Sequence, residues 1–402
     1  TLIILILGSL ATVSPFSIDM YLPAFSQIAE DFGTTPARIS FSVTSYFIGL
    51  AIGQMIYGPL LDRYGRKRPL YVGLTIFIIT CIGCMQTQST EMLVALRFLQ
   101  ALGGCVAWVV ALAMVRDFFP VEQSARVFSL LILVIGLSPL LAPTFGGFIA
   151  TGLGWRWVFI VLALIVFVIL LITFFFLPEG HQPDRNVSLK PKPMFLSFLS
   201  ILRNPQFYTY SLSGAFAFSS LFIYVAGSPV IFMEIFDVSP QVYGGIFALL
   251  SVGFIGGSQL NILLNKKYSS EQIFQVSLYT LVIVSIVFMI GAWNNWYGLE
   301  ATIGLFFVAL SCVGLTNPNA TALALAPFSK NVGSASALLG FLQIGVAGFS
   351  SAGIGFFNTT DSIPVTMVMT CTSVIALCIL VLGRKRITEG VKVQEEGPST
   401  VL

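Results

Sequence analysis

Apolar residues in this chain form long stretches that recur from one end to the other, separated by short polar segments. Each stretch has about 18 to 25 residues, enough for a helix to cross the roughly 30 Å hydrocarbon core of a bilayer. We count twelve of them, the first over residues 2–27. The pattern predicts an all-α membrane protein with twelve transmembrane helices.

The composition excludes a water-soluble fold. Of the 402 residues, 56% are hydrophobic and only 9% are charged, whereas soluble proteins carry roughly 25% charged residues. The net charge of +3 is small, and the basic residues lie in short runs beside the apolar stretches. We therefore expect the chain to be embedded in a lipid bilayer and to have no nucleic-acid partner.

The longest polar segment, residues 178–207, contains five prolines and leaves six apolar stretches on each side. It predicts an N-terminal six-helix bundle over 1–177, a cytoplasmic linker over 178–207, a C-terminal six-helix bundle over 208–383 and a cytoplasmic tail over 384–402. Within the linker, the apolar run Met194–Leu202 suits a short helix on the membrane surface.

A weak internal repeat agrees with this division. A shift of 203 residues places Leu61 on Leu264 and Arg63 on Lys266, at the end of the second apolar stretch of each half. Transporters built from parallel halves hold their substrate between them, near the membrane midplane.

The basic residues predict the orientation. Seventeen of the 20 Lys and Arg residues fall on one face of the predicted topology, and the face richer in these residues is cytoplasmic. An even number of spans then puts both termini in the cytoplasm.

Cysteine and histidine residues do not indicate a metal site, a cofactor or a disulfide framework. All six cysteines lie in apolar stretches, where thiols behave as small hydrophobic groups. Cys81 and Cys84 have the spacing of a redox or metal pair, but their surroundings are apolar and the single histidine is His181. We expect no catalytic residues, and a membrane enzyme is disfavoured because a polar catalytic cluster is lacking.

One acidic residue, Asp19, lies deep within a predicted span, roughly 12 Å from its outer end at 1.5 Å rise per residue. An unpaired carboxylate is costly in a membrane, so such a group is expected to face a cavity and to take part in ion or substrate passage. Asp19 can exchange a proton for a cationic or hydrogen-bonding substrate. A helix-packing hydrogen bond without transport chemistry is the alternative.

The single basic residue within a span, Arg97, lies roughly 9 Å from the outer end of the fourth span, close in depth to Asp19. Trp108 follows three helical turns later on the same face, and Gln100 lies beside it. Arg97 is expected to hold water, Asp19 or a substrate oxygen. In the purely structural alternative it binds backbone carbonyls.

The loop after the second span reads GPLLDRYGRKRPLY from Gly58 to Tyr71. Gly58 and Gly65 permit a tight turn there, and Asp62 is expected to cap the third helix. The loop resembles the major facilitator superfamily signature, with one departure at Leu61, where alanine is usual. The matching residues are Gly58, Leu60, Asp62, Arg63, Gly65, Arg66 and Lys67.

Other segments carry the same resemblance. Arg97, Gln100 and Gly103 resemble the superfamily's fourth-span motif. In the fifth span, Pro143, Gly146 and Gly147 resemble the end of the motif that marks its exporters, and small residues there favour close helix packing.

The runs SIDMYLPAF (17–25), NPNATALALAP (317–327) and GSASALLGFLQ (333–343) are similar to the Bcr/CflA drug-resistance branch of that superfamily. The resemblance implies a drug and proton antiporter of the bacterial inner membrane, which we expect to act as a monomer. It implies that Asp19 matches an acidic residue linked to proton and substrate binding. It also pairs Asp117 with the loop around Asp62 in a conformational latch.

An aromatic and polar wall is expected to bind planar or cationic substrates. The candidate residues are Tyr21, Tyr46, Gln100, Trp108, Phe222, Tyr224, Phe341 and Gln343. A proton-coupled symporter that imports a small nutrient on the same fold stays the alternative to an exporter, because fold alone does not separate the two.

Overall fold

The computed structural model describes residues 2–119, 121–180, 183, 198–328, 332–355 and 361–395, and this part of the chain is helical, with no strand. We number its twelve long helices spans 1 to 12 in chain order. Spans 1 to 6 are Leu2–Asp19 with its continuation Phe25–Asp31, Pro36–Tyr64, Lys67–Gln86, Thr90–Phe118, Val121–Leu153 and Arg156–Phe176. Spans 7 to 12 are Pro205–Pro229, Pro240–Leu264, Ser270–Trp293, Leu299–Leu325, Val332–Gly355 and Ile363–Glu395.

The helices have the length and apolarity of transmembrane segments. Eleven of them can cross a membrane by length and composition. The remaining one, span 5, is 33 residues long and includes the apolar segment Leu141–Leu153. Apolar side chains also cover the outside of the bundles, as at Phe175, which is 71% exposed. Such a surface suits lipid and confirms the predicted all-α membrane fold.

The span predicted over 2–27 is present over Leu2–Asp31, but its helix is interrupted after Asp19. Its first segment ends at Asp19, a 3₁₀ turn covers Leu22–Ala24, and a second helix runs over Phe25–Asp31. Pro23 explains the break, because proline has no N–H and its ring clashes with the carbonyl four residues earlier. That carbonyl belongs to Asp19.

The packing of spans 1 to 6 is repeated by spans 7 to 12. Span 1 packs on spans 4 and 5 as span 7 packs on spans 10 and 11, and span 2 packs on span 4 as span 8 packs on span 10. Span 3 lies between spans 4 and 6 as span 9 lies between spans 10 and 12. These are the two six-helix bundles, which meet where span 2 packs on span 11 and span 5 on span 8.

The predicted domain boundaries fall partly outside the described residues. Residues 181–182 and 184–197 of the linker lie outside them, including the first four residues of the predicted surface helix, 194–202. The other five residues of that segment, 198–202, are helical. Span 12 continues as a helix to Glu395, beyond the predicted membrane exit at 383.

Glycines bring span 5 against two neighbours, as its small-residue motif predicts. A Cβ atom on Gly146 would collide with the backbone of Met20 in span 1. A Cβ atom on Gly147 would lie 2.9 Å from the carbonyl oxygen of Pro240 in span 8. Pro143 lies one turn earlier, inside the helix. Span 5 therefore holds its own bundle together and also contacts the other bundle.

We expect Gly146→Ala to lower the stability of the protein, because overpacking costs about 1–3 kcal/mol and the backbone of Met20 leaves no room. Gly152→Ala is the matched control in the same helix, since nothing lies within 4 Å of its Cβ position. Thermal denaturation in detergent is the measurement. Equal midpoints for the two variants would contradict this packing.

The predicted orientation is tested with single cysteines introduced at exposed loop positions. Asn294→Cys, between spans 9 and 10, is expected to react with a membrane-impermeant maleimide in intact cells. Lys267→Cys, between spans 8 and 9, is expected to react only after permeabilisation, because its loop belongs to the basic face. The unmodified protein gives the background. The reverse pattern would invert the topology.

Candidate transport site

Asp19 lies at the break in span 1, beside the interface between the bundles. Its side chain is buried, and the hydroxyl of Ser138 in span 5 lies 3.5 Å from Oδ2 as its donor. The 3₁₀ turn that follows Asp19 packs on spans 7 and 8 of the C-terminal bundle. No basic side chain in the described part of the chain forms an ion pair with Asp19.

Arg97 is held inside the N-terminal bundle. Its side chain is fully buried and donates to Ser17 Oγ at 2.9 Å, to the Ser17 carbonyl at 3.0 Å and to Gln100 Oε1 at 2.6 Å. The guanidinium also lies 4.7 Å from the ring centre of Tyr21 and 4.3 Å from that of Tyr46.

The break in span 1 accounts for this geometry. The last carbonyls of a helix lack partners within it, and a positive charge near them is favourable. Arg97 binds such a carbonyl, that of Ser17, two residues before the helix ends. None of its hydrogen bonds reaches Asp19, so the structure brings Arg97 to the backbone of span 1 and not to the carboxylate.

A cavity of about 200 Å³ lies between the bundles, next to the first segment of span 1. Its surface is mainly apolar, with Gln54 and Ser14 as polar members. The lining residues are Ala11, Ser14, Pro15, Ile18, Leu50, Gln54, Cys105, Trp108, Phe222 and Ile344.

The predicted aromatic wall is divided among three places. Trp108 and Phe222 line the cavity. Tyr21, Tyr46 and Gln100 surround Arg97 within the N-terminal bundle.

The other three members of the predicted wall belong to the C-terminal bundle. The ring of Tyr224 packs 5.3 Å from Phe247 and 5.2 Å from Phe306. Gln343 donates to Asn317 at 2.9 Å, and Phe341 packs partly buried against the core.

Sequence reasoning missed most of the cavity lining. Gln54 is the residue for which a signal existed, since an uncharged polar side chain near the middle of an apolar span is unusual. Leu50, Cys105 and Ile344 carry no such signal, because apolar residues facing a cavity and those facing a helix neighbour look alike in sequence.

A charged cluster joins the loop between spans 2 and 3 to the end of span 4. Arg66 bonds to Asp117 at 2.8 Å and to Asp62 at 2.8 Å. Burial lowers the pKa of the Arg66 guanidinium, but the hydrogen bonds to Asp117 and Asp62 and the negative charges of these two carboxylates together raise it by more, so the net pKa is above its usual value. Of the residues predicted as a latch, Asp62, Arg66 and Asp117 therefore lie in contact.

Glu179, which follows span 6, caps span 3. Its carboxylate accepts the backbone N–H of Arg66 at 2.6 Å and that of Lys67 at 3.2 Å. The expectation that Asp62 caps this helix was wrong, because its side chain turns to Arg66 instead. A carboxylate at a helix N-terminus is favoured by the helix dipole.

The two glycines of the predicted turn have different surroundings. Gly65 ends span 2 with φ of +83°, a conformation that favours glycine, and lies against Glu179. Gly58 lies inside span 2 and not in the turn. Arg63, in the last turn of span 2, lies over the ring of its neighbour Tyr64 at 5.8 Å.

Cys81 and Cys84 are buried free thiols, and Cys81 accepts a hydrogen bond from Gln100 at 2.8 Å. The part of the chain that the structure describes holds no group of three or more potential metal ligands.

Comparisons with known proteins identify the relatives of the chain. An uncharacterized MFS-type transporter, YdgK of Bacillus subtilis, is 30% identical over 389 residues, or 95% of each chain. The bicyclomycin resistance protein homolog of Haemophilus influenzae is 29% identical over 93% of this chain and 94% of its own. Multidrug resistance protein MdtL of Escherichia coli is 30% identical over 84% of each.

Among solved structures, a D-xylose-proton symporter superposes with a TM-score of 0.72 at 15% identity, covering 94% of this chain and 96% of its own. At this identity the likeness concerns the fold alone. The family model described as Major Facilitator Superfamily matches residues 7–352. Together with the two bundles and their central cavity, this match shows that the chain belongs to the major facilitator superfamily and is a membrane transporter, not an enzyme.

Proposed function

We propose that this transporter exports small organic molecules, drugs among them, across the bacterial inner membrane in exchange for protons. The observation that carries the proposal is Asp19. Among the described side chains it is the one buried acidic residue, and it lies at a helix break beside the interface between the bundles. The names of two relatives, a bicyclomycin resistance protein homolog and a multidrug resistance protein, support drugs as substrates.

The central cavity supports a substrate with an apolar or aromatic body. Trp108 and Phe222 offer ring faces, and Gln54 offers an amide for one directed hydrogen bond. The lining comes from spans 1, 2, 4, 7 and 11 of a single chain, which supports a monomer as the working unit. Asp19 lies on span 1, one residue beyond the lining residue Ile18.

Exchange at Asp19 accounts for coupling in this proposal. A proton taken up from outside removes a buried charge and favours reorientation toward the cytoplasm. Substrate arriving from the cytoplasm then displaces the proton, and the loaded carrier returns. In this scheme, protons that enter the cell down their gradient drive the substrate out of the cell.

The nearly isosteric change Asp19→Asn is expected to leave the protein folded but to remove proton-driven efflux. Substrate-induced proton release from the purified protein, measured in detergent across a panel of drugs, tests this directly. Asp361→Asn, in an exposed loop, is the control and is expected to release protons like the wild type. Undiminished release from Asp19→Asn would show that the coupled proton is bound elsewhere.

The cytoplasmic cluster of Arg66, Asp62 and Asp117 is expected to hold the transporter in one conformation. We expect the ion pair of Arg66 with Asp117 to contribute more to this than the ion pair of Arg66 with Asp62. Asp117 is 14% exposed at its side chain and Asp62 is 54% exposed, and exposed ion pairs contribute only about 0–1 kcal/mol. Asp117→Asn should therefore slow transport more than Asp62→Asn, while drug affinity changes little in either. Transport rates in vesicles and equilibrium binding are the two measurements.

Glu271→Gln is the control for the latch, because it breaks the exposed pair between Glu271 and Arg384 in the other bundle. Its transport rate should match the wild type. An Asp117→Asn protein that transports at the wild-type rate would rule out the latch.

A further inference from the structure

Spans 2 and 11 pack closely between the bundles, and this packing reaches the central cavity at Gln54. Near the start of span 2, the hydroxyls of Thr44 and Ser351 are joined by a buried hydrogen bond of 3.1 Å. Three turns later, the side chain of Gln54 touches span 11, because a Cβ atom on Gly340 would collide with its Oε1. Gln54 also lines the cavity. Its amide therefore lies across the bundle interface, at the edge of the cavity.

Gly340 leaves the room that this amide occupies. Oε1 and Cδ of Gln54 are the two atoms that a Cβ at position 340 would meet within 4 Å. Since a Cβ takes the place of a glycine hydrogen, Oε1 lies toward that C–H group, the orientation in which an amide makes a favourable C–H···O contact. The nitrogen end of the amide is then left to donate elsewhere. No hydrogen bond joins Gln54 to another residue in the described part of the chain.

The cavity holds a second polar group without a partner. The hydroxyl of Ser14, on span 1, is buried and has no hydrogen-bond partner among the described residues. Buried polar groups in native proteins are nearly always paired. Ser14 and Gln54 therefore offer two hydrogen-bonding positions to a molecule that enters the cavity.

The lining of the cavity carries no charged residue. A cation that enters it loses water without meeting a carboxylate, and the ring faces of Trp108 and Phe222 recover only part of that cost. Asp19 follows the lining residue Ile18, but its described side-chain contact is with Ser138. An uncharged molecule with a polar group that finds a hydrogen bond loses far less on entry.

We propose that Gln54, positioned by Gly340, makes this transporter selective for uncharged substrates that carry an oxygen acceptor, such as an amide or ketone carbonyl. Nε2 of Gln54 donates to that oxygen, and the hydroxyl of Ser14 bonds to a second polar group. Trp108 and Phe222 cover the apolar or aromatic body. The inference rests on the proposed export function and adds to it a substrate class, a specificity residue and a positioning residue.

The substrate class is tested with pairs of probes that share a ring and differ in their polar group. Each pair is an acetamide and a trimethylammonium salt of the same arylmethyl group, which is benzyl, naphthylmethyl or biphenylmethyl. Substrate-induced proton release from the purified protein in detergent is the measurement. Half-maximal release is expected at concentrations roughly tenfold or more lower for the acetamides. Equal or better responses to the salts, or no response to either set, would overturn the inference.

Gln54→Met tests the hydrogen bond, because it keeps the length of the side chain and removes its N–H donors. The acetamide concentration for half-maximal release should rise roughly three- to tenfold, as expected for the loss of one hydrogen bond. The response to the trimethylammonium salts should not change, which separates a lost contact from a damaged protein. An unchanged acetamide response in this variant would contradict the role of Gln54.

Gly340→Ala displaces the same amide without removing it. Since the new methyl group meets only the flexible end of Gln54, the protein should fold. The half-maximal acetamide concentration should rise as it does in Gln54→Met, with the same maximal release. Gly345→Ala, in the same helix and with nothing within 4 Å of its Cβ position, is the control and should match the wild type. Equal responses of these two glycine variants would overturn the positioning by Gly340.

Failure of this inference is distinguishable from failure of the proposed function. If the wild type exports ethidium and the trimethylammonium salts under a proton gradient but not the acetamides, export stands and the uncharged substrate class is wrong. If the wild type exports no compound of a drug panel, the proposed function fails, and the inference fails with it.

Discussion

The structure depends on one constraint, that a backbone within a bilayer must find its hydrogen bonds inside the protein. Continuous helices meet this constraint in most spans. Pro23 prevents span 1 from doing so, because it cannot bond to the carbonyl of Asp19 and its ring clashes with that group. The chain instead breaks at Asp19, and the carbonyl of Ser17, just before the break, is bound by the buried guanidinium of Arg97.

As a result of this constraint, the two deep charged residues, Arg97 and Asp19, have different surroundings. Arg97 is committed to the backbone of span 1 and to the rings of Tyr21 and Tyr46, all within one bundle. Asp19, two residues after Ser17, has its one described side-chain contact with Ser138 of the same bundle and precedes the turn that packs on spans 7 and 8. The depth of the two residues is similar, but their surroundings differ.

The same requirement for hydrogen-bond partners applies at the end of the N-terminal bundle that carries the loop between spans 2 and 3. The Glu179 carboxylate accepts hydrogen bonds from the backbone N–H groups at the start of span 3, and the Arg66 side chain forms an ion pair with Asp117. Span 4, the loop after span 2 and the chain leaving span 6 are thereby joined within the N-terminal bundle. Since Glu179 lies at the start of the linker predicted over 178–207, this cluster lies where the chain leaves the N-terminal bundle for the other one.

Much of the architecture was readable from the sequence. Twelve apolar stretches, the polar segment after span 6 and the loop signature from Gly58 to Lys67 predicted the fold and the family, because a bilayer requires long apolar helices whatever their packing. The contact of Arg66 with Asp117 and the close packing at Gly146 were also predicted from motifs. The break after Asp19 was readable in principle from Pro23, but a hydropathy pattern does not register a missing N–H.

Which residues face one another was decided only by the tertiary structure. Arg97 and Asp19 have similar depths, yet depth along a helix says nothing of direction around it, and Arg97 turned to Ser17. Tyr21 and Tyr224 are both buried tyrosines, but Tyr21 lies beside Arg97 in the N-terminal bundle and Tyr224 packs against Phe247 and Phe306 in the C-terminal bundle. The helices of this chain are apolar on every face. Hydrophobic periodicity therefore cannot distinguish residues that face the cavity from residues that face another helix or the lipid. That choice is made by helix rotation and by contacts between residues hundreds of positions apart.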